Sequence, residues 1–389
     1  MLNANHEQRI WYNMCMKAKM IASGMLCIAA MAAGAADIAD YDPRMAVATA
    51  KVENGIKWID GVHLPIEGRA FDNTAAYYDR LPKTVTTNVN AGVRGMLNHT
   101  TGMQLRFRTD SKRVIVKWVP VNSSLAMDHM PATGVSGVDV YRQEPDGKWR
   151  YVNTGRIYKP EGSQLSVPWT PGDACLINLP LYNGVKSIAI GIDEGATISA
   201  PPPHQSGVTK PVVFYGTSIT HGGCASRPGL SFVNIVGREL DVPVVNLGFS
   251  GSGKMELEMS EHLAVIDASC YVLDCLWNMD MKMVEERYEP FIRNLRAKRP
   301  GVPIVMAEQC DVYLRPGGSK RFGDKDNFVR ALYDKLVAEG WKDLVYLRAD
   351  EQFGYDGEGT VDGCHPNDIG MAALARGFGA AVAKALKLR

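Results

Sequence analysis

From residue 208 to residue 389, short apolar runs alternate with longer amphipathic stretches, and few folds accommodate that rhythm. The runs Pro211–Tyr215, Val242–Leu247, Tyr271–Cys275, Val302–Ala307 and Leu344–Leu347 have the length of strands. The stretches near 229–240, 254–266, 283–299, 324–340 and 367–386 have helical spacing. In the first of them Phe232, Ile235, Val236 and Leu240 share one face. Repeated strand–helix units predict an α/β domain whose parallel sheet lies between two helical layers. Such sheets bind ligands at the carboxyl ends of their strands. The residues just past each run are therefore the candidates for chemistry.

Residues 37–205 read differently. β-rich runs recur at Gly55–Ile59, Leu105–Arg108, Val114–Val119, Gly137–Tyr141 and Ser187–Ile192, separated by turn clusters such as Pro145-Asp146-Gly147. With no long helical pattern, a β-sandwich of jelly-roll type is expected over 37–205. The stretch Pro201-Pro202-Pro203-His204-Gln205-Ser206-Gly207 then reads as a linker. A chain of 389 residues has room for both domains.

The beginning of the chain has the layout of a secretory signal. Met16-Lys17-Ala18-Lys19 is basic, Met20 to Ala32 is apolar, and Ala33-Gly34-Ala35 offers a cleavage site before Ala36. Residues 1–35 are thus expected to be a signal peptide, and the protein to be secreted or periplasmic. A buried Ala- and Met-rich helix is the alternative. Residues 1–15 look unlike a signal, which makes Met14 or Met16 a candidate initiator. No later run reaches the ~20 apolar residues of a membrane span. A net charge of +1 gives no pull toward nucleic acid or an anionic membrane.

Export would leave Cys175, Cys224, Cys270, Cys275, Cys310 and Cys364 where disulfides are permitted. Cys270 and Cys275 share one predicted strand, about 16 Å apart, too far to bond each other. A Cys224–Cys364 bridge could brace the site, but buried free thiols are the favoured reading.

Ser218 follows the first strand in Gly216-Thr217-Ser218-Ile219-Thr220-His221, an exposed position for a nucleophile. The segment is not the G-x-S-x-G elbow of α/β-hydrolases. Near the other end, Asp362-Gly363-Cys364-His365-Pro366 offers a base and a carboxylate to orient it, with Pro366 suited to the first turn of the last helix. An Asp helix cap beside a solvent-facing His is the competing reading. Oxyanion donors could come from the Gly-rich stretch Asn246 to Gly253 and from Asn278, although a flexible loop and a turn asparagine would look the same. The histidines are scattered, without H-x-x-x-H spacing, so no metal and no cofactor are expected.

Taken in order, a Ser after strand one, a Gly after strand two, an Asn after strand three and D-x-x-H before the last helix resemble the four sequence blocks of the SGNH (GDSL-type) hydrolases. The resemblance covers 208–389. It implies a three-layer, flavodoxin-like domain with Ser218 as nucleophile and Asp362 and His365 completing a triad. It also implies an oxyanion hole built from Ser218, Gly251 and Asn278. Two departures stand out: Thr217 replaces the usual Asp of G-D-S, and Trp277-Asn278-Met279 replaces Gly-x-Asn-Asp. In the front half, Gly137-Val138-Asp139-Val140-Tyr141 resembles the G-x-D-L-Y signature of a bacterial subgroup carrying a β-domain before the hydrolase.

The expected protein is therefore a secreted serine esterase hydrolysing short acyl esters, acetyl above all, on a small molecule or glycan. A lipase- or thioesterase-type acylhydrolase and a non-catalytic glycan-binding protein are the alternatives. The Met- and Gly-rich stretch Met127 to Gly134 is expected to lean over the site. His129, Thr217, His221 and Trp277 are the expected substrate contacts.

Overall fold

The computed structural model describes residues 50–85, 89–310, 323–353 and 356–388. The signal segment read at 1–35 lies outside them. The front half carries strands β1 (Lys51–Glu53), β2 (Ile56–Asp60), β3 (Ile66–Glu67), β4 (Gln104–Thr109), β5 (Arg113–Pro120), β6 (Val138–Gln143), β7 (Trp149–Gly155), β8 (Ser163–Pro168), β9 (Ala174–Asn178), β10 (Val185–Asp193) and β11 (Ile198–Ser199). Its helices are short, α1 (Ala91–Gly95) and α2 (Ala132–Val135). Two antiparallel sheets, ordered β1-β2-β10-β5-β8 and β11-β4-β9-β6-β7, close on one core that includes Phe107, Trp118, Val140, Ile177 and Ile190.

Side chains on a strand alternate between faces. On β4, β6 and β9, Leu105, Phe107, Val138, Val140, Cys175 and Ile177 enter this core. The alternate positions Gln104, Arg106, Asp139, Tyr141 and Asn178 are buried as well. The other domain covers much of that second, polar face, at Gln104, Asp139 and Tyr141, while Arg106 is met by Glu67 and by Pro202 and His204 of the linker.

That domain contains β12 (Val212–Gly216), β13 (Val244–Gly248), β14 (Cys270–Asp274), β15 (Ile304–Ala307) and β16 (Leu344–Leu347). Between and after them run α3 (Ser218–His221), α4 (Phe232–Leu240), α5 (Leu257–Val265), α6 (Met281–Lys298), α7 (Gly323–Ala338) and α8 (Asp368–Leu386). The five strands are parallel, in the order β13-β12-β14-β15-β16. β12, β13 and β14 are buried at every residue, as a sheet covered on both faces requires. α4 and α8 pack on one face, while α5, α6 and α7 pack on the other. Predicted and observed elements agree to within a few residues. One correction concerns Pro366: it lies outside α8, whose cap is Asn367, whose side chain accepts from the N–H groups of Ile369 and Gly370. All six described cysteines are free thiols.

The two halves share hydrophobic cores. Phe71, Leu81 and Val93 join the cluster under α5 and α6, and Met130, Val135 and Leu181 join the one under α4 and α8. A polar latch reinforces the seam. Asp139, fully buried, accepts from Asn178 Nδ2 (2.7 Å), Arg227 Nη1 (2.8 Å) and the Gly229 N–H (2.8 Å). Arg227 also donates to the Tyr141 hydroxyl (2.6 Å) and lies 4.0 Å from the Tyr151 ring. A Cβ on Gly229 would come within 2.6 Å of the Tyr141 ring, so this close approach admits only glycine. The Asp and Tyr of the G-x-D-x-Y stretch are thus among the residues that hold the hydrolase domain.

Removing one member of a buried ion pair strands the other charge, typically at about 3–5 kcal/mol. Arg227→Ala is accordingly expected to lower the urea midpoint of unfolding by a corresponding amount. A variant that unfolds at the wild-type midpoint would show that the latch does not stabilise the seam.

Candidate active site

β12 is the sheet's first strand but lies inside it, with β13 on one side and β14 on the other. Chain connections diverge there, which leaves a crevice at the strand's carboxyl end. Ser218 sits in that crevice as the first residue of α3. Thr217 caps the helix: its hydroxyl accepts from the Ile219 N–H at 3.2 Å. An aspartate does the same work at a helix start, so the departure from G-D-S preserves the cap. Thr217 is fully buried and does not face a substrate, contrary to expectation.

The loop before α8 brings the base to the serine. His365 Nε2 lies 2.9 Å from Ser218 Oγ, and His365 Nδ1 lies 2.7 Å from Asp362 Oδ2. Asp362 Oδ1 accepts from the backbone N–H groups of His365 (2.7 Å) and Cys364 (3.0 Å). Partial burial pushes the Asp362 carboxyl up, but these bonds, the ring's first, outweigh it and hold the pKa below the usual carboxylate value. Asp362 stays ionised and keeps the imidazole proton on Nδ1, leaving Nε2 to accept. A serine, an imidazole and a carboxylate in this relay can perform acyl transfer.

The three candidate oxyanion donors follow neighbouring strands, β12, β13 and β14, at their carboxyl ends. Ser218 N–H opens α3, where no helical carbonyl can reach it. Gly251 holds φ at +65° in an open turn, with nothing among the described residues within 4 Å of where its Cβ would be. Asn278 ends a 3-10 turn after β14. With its Oδ1 accepting from Ser252 N–H (3.0 Å) and Gly253 N–H (3.2 Å), its NH₂ is the end left to donate.

Beneath these residues lies a floor supplied by the front half. The Tyr182 hydroxyl donates to the Ser218 carbonyl at 2.9 Å, interacts with Ser250, and the ring stacks on His221 at 4.1 Å. His221 Nε2 meets the Leu181 carbonyl (2.9 Å) and His99 Nδ1 (3.1 Å). His221 was expected to touch substrate, but it is completely buried and belongs to this floor. Burial, then the positive charge of Arg80, hold His221 well below the ordinary imidazole pKa and lower His99 to about 3. Arg80 donates to the carbonyls of Gly248 (2.6 Å) and Met96 (2.8 Å) and lies 4.3 Å from the Phe249 ring. It thereby fixes the end of β13, from which the Gly251 loop departs. Sequence reading missed Tyr182 and Arg80. Their partners are backbone carbonyls and ring faces, which leave no trace in residue identity.

The other two expected contacts lie at the site. The His129 ring approaches that of His365 edge-on at 5.4 Å, so the 127–134 loop does reach the triad. Trp277 is half-buried and lines a cavity of about 530 Å³ with Asn278, Met279, Asp280, Met281 and Met283.

Known proteins match both halves of the chain. The GDSL-like Lipase/Acylhydrolase family matches residues 209–383, and the N-terminus of SGNH-hydrolase-type esterases, the GxDLY family, matches residues 56–198. A protein from Bacteroides ovatus ATCC 8483, described as a GDSL-like lipase, is 30% identical with a TM-score of 0.75, over 86% of this chain and 99% of that one. The salicylyl acyltransferase SsfX3 of a tetracycline biosynthetic pathway has 19% identity and a TM-score of 0.68, over 86% and 98%. A family two carbohydrate esterase from Cellvibrio japonicus has 14% identity and a TM-score of 0.55, over 85% and 98%. No curated protein matches the chain by sequence. The chain belongs to the SGNH (GDSL-type) hydrolases, and it is an esterase or acylhydrolase.

A buried acid under the nucleophile makes stability depend on pH. Asp274 ends β14 and accepts from Thr220 Oγ1 at 2.7 Å. Burial raises its pKa from 3.8 to about 7, with the Thr220 bond opposing. Between those values the folded protein keeps a proton that the unfolded chain has released, so this group's contribution to stability falls as pH rises from 3.8 to about 7. Asp274→Asn should flatten the dependence of Tm on pH across that interval. An unchanged slope in the variant would assign the dependence to other groups.

Proposed function

We propose that this chain is an exported serine esterase that removes short acyl groups, acetyl foremost, from carbohydrate. The observation that carries the reading is the relay Ser218–His365–Asp362, with successive separations of 2.9 and 2.7 Å. Ser218 Oγ attacks the ester carbonyl while His365 Nε2 takes its proton. The negative oxygen of the tetrahedral intermediate is met by the N–H groups of Ser218 and Gly251 and by the Asn278 amide. His365 then gives the proton to the departing alcohol oxygen, and the acyl group remains on Ser218. Water, deprotonated by the same nitrogen, releases the acid. Asp362 stays ionised throughout and stabilises the imidazolium.

The carbohydrate part rests on the surroundings of the relay. The cavity beside Asn278 sets Trp277 and three methionines against Asp280 and Asp324. Such a mixed lining suits a sugar ring, which is apolar on its faces and hydroxylated at its edge, better than an alkyl chain. The fold shared with family two carbohydrate esterases agrees with this reading. The basic, apolar and A-x-A segments before Ala36 support export.

Ser218→Ala should lower kcat on p-nitrophenyl acetate by ~10⁴-fold or more. Asn278→Ala should lower it by ~10²–10³-fold, the usual effect of losing one oxyanion donor. Wild-type rates in Ser218→Ala would remove the serine from the mechanism. Across acyl lengths, kcat/KM is expected to fall from acetyl to butyryl to octanoyl esters, and acetylated xylan should be deacetylated. Faster cleavage of octanoyl esters would identify a lipase instead.

A further inference from the structure

The front half places one more titratable side chain at the triad than acyl transfer uses. His129 is 233 positions from Asp362 (362 − 129 = 233), yet His129, Asp362 and His365 each offer a ligand atom within 4.8 Å of the others, and none is fully buried. The two imidazole rings meet edge-on, 5.4 Å apart and inclined at 73°. His129 makes no hydrogen bond among the described residues, so its ring nitrogens are uncommitted. The loop carrying it is anchored on both sides: the Met127 and Met130 backbones pair with each other, Met130 is buried, and Thr133 Oγ1 donates to the Ser226 carbonyl at 2.6 Å.

We propose that His129, Asp362 and His365 form an inhibitory site for a divalent first-row transition ion, with zinc as the best-suited ion. Two imidazoles and one carboxylate are a common three-ligand set for zinc, with water in the fourth position. Tetrahedral zinc at bond lengths near 2.0–2.1 Å sets its ligand atoms about 3.3 Å apart. His129 therefore needs to move inward by roughly 1–1.5 Å, and Asp362 Oδ2 and His365 Nδ1, now 2.7 Å apart, need to part by about 0.6 Å, shifts that surface loops allow. The ion enters between Asp362 and His365 and takes the Nδ1 lone pair. The imidazole proton shifts to Nε2, so no proton is gained or lost. That nitrogen then donates to Ser218 Oγ and can no longer accept from it, and the hydrolase stops until the metal leaves. The inhibitory consequence rests on the triad proposed above. The binding itself depends only on the three ligands.

The test keeps these two claims apart. Zinc binding to the untagged, chelator-stripped protein is followed by calorimetry, and ester hydrolysis is followed in parallel. One zinc per chain is expected, with inhibition saturating over the same concentrations as binding and reversing on addition of EDTA. His129→Ala and His129→Gln should each bind zinc at least tenfold more weakly. Their inhibition, measured against each variant's own zinc-free rate, should shift by the same factor. Unchanged thermal midpoints will confirm that both variants are folded. Wild-type affinity in both variants, or no stoichiometric binding by the wild type, would overturn the site. Stoichiometric binding that His129 substitution weakens, with no effect on hydrolysis, would leave the metal site standing and overturn its inhibitory role, while the fate of the relay itself is decided separately by Ser218→Ala.

Discussion

The peptide from Gly222 to Leu230 is where the parts of this enzyme are tied together. Gly222 and Gly223 donate to the Ser218 carbonyl at 3.1 and 3.0 Å, so the loop begins by closing the nucleophile's own helix. Cys224 N–H donates to the Pro366 carbonyl at 2.8 Å, and Ser226 donates to Asp368 through its N–H (2.8 Å) and its hydroxyl (2.6 Å). These bonds fix the segment that directly follows His365. Ser226 and Gly229 also receive Thr133 and Asp139 from the front half. One short loop therefore holds Ser218 close to the segment that follows His365 and docks the β-domain in the same stroke.

The front half is accordingly part of the site. It supplies Tyr182 under the Ser218 carbonyl, Arg80 under the end of β13 and His129 against the imidazole. The electrostatics follow from the burial. Arg80 is shut away with carbonyls and a ring face for partners, and its charge helps keep His99 and His221 neutral. Neutral rings stack and hydrogen-bond in a dry floor without the desolvation cost of a charge. Two domains joined only by the 201–207 linker would rock against each other. These share hydrophobic cores and a buried ion pair, so the geometry at Ser218 is held by both.

Much of this was legible in the chain. The α/β rhythm of 208–389 is a periodic signal, and its elements appeared with small errors at their ends. Ser218, Asn278, Asp362 and His365 stood out as candidates because strand order in a parallel sheet brings successive strand ends to one edge, whereas Gly251 was singled out within its Gly-rich stretch only by the family resemblance. The readings that failed share a cause. Thr217 and His221 are polar and adjacent to the nucleophile, which suggested substrate contact. Yet a helix of four residues turns successive side chains in different directions, and only Ser218 of this group reaches the crevice. Asp139 was recognised as part of a signature, but its partner Arg227 is 88 positions away in sequence. Nothing in residue spacing connects the two.

Substrate choice was the least legible part, for a physical reason. The relay must meet distances of about 3 Å, and those distances fix residue type and position. A sugar or acyl pocket demands only shape and a mixture of surfaces, which many sequences supply. His129 stands between these cases. Its loop belongs to the β-domain and is tied to Ser226, its ring approaches that of His365, and its nitrogens have no hydrogen-bond partner among the described residues. A side chain so placed is constrained by geometry but not by the hydrolytic steps themselves. It is therefore the residue through which the proposed esterase would acquire a response to metal, without itself taking part in the hydrolytic steps.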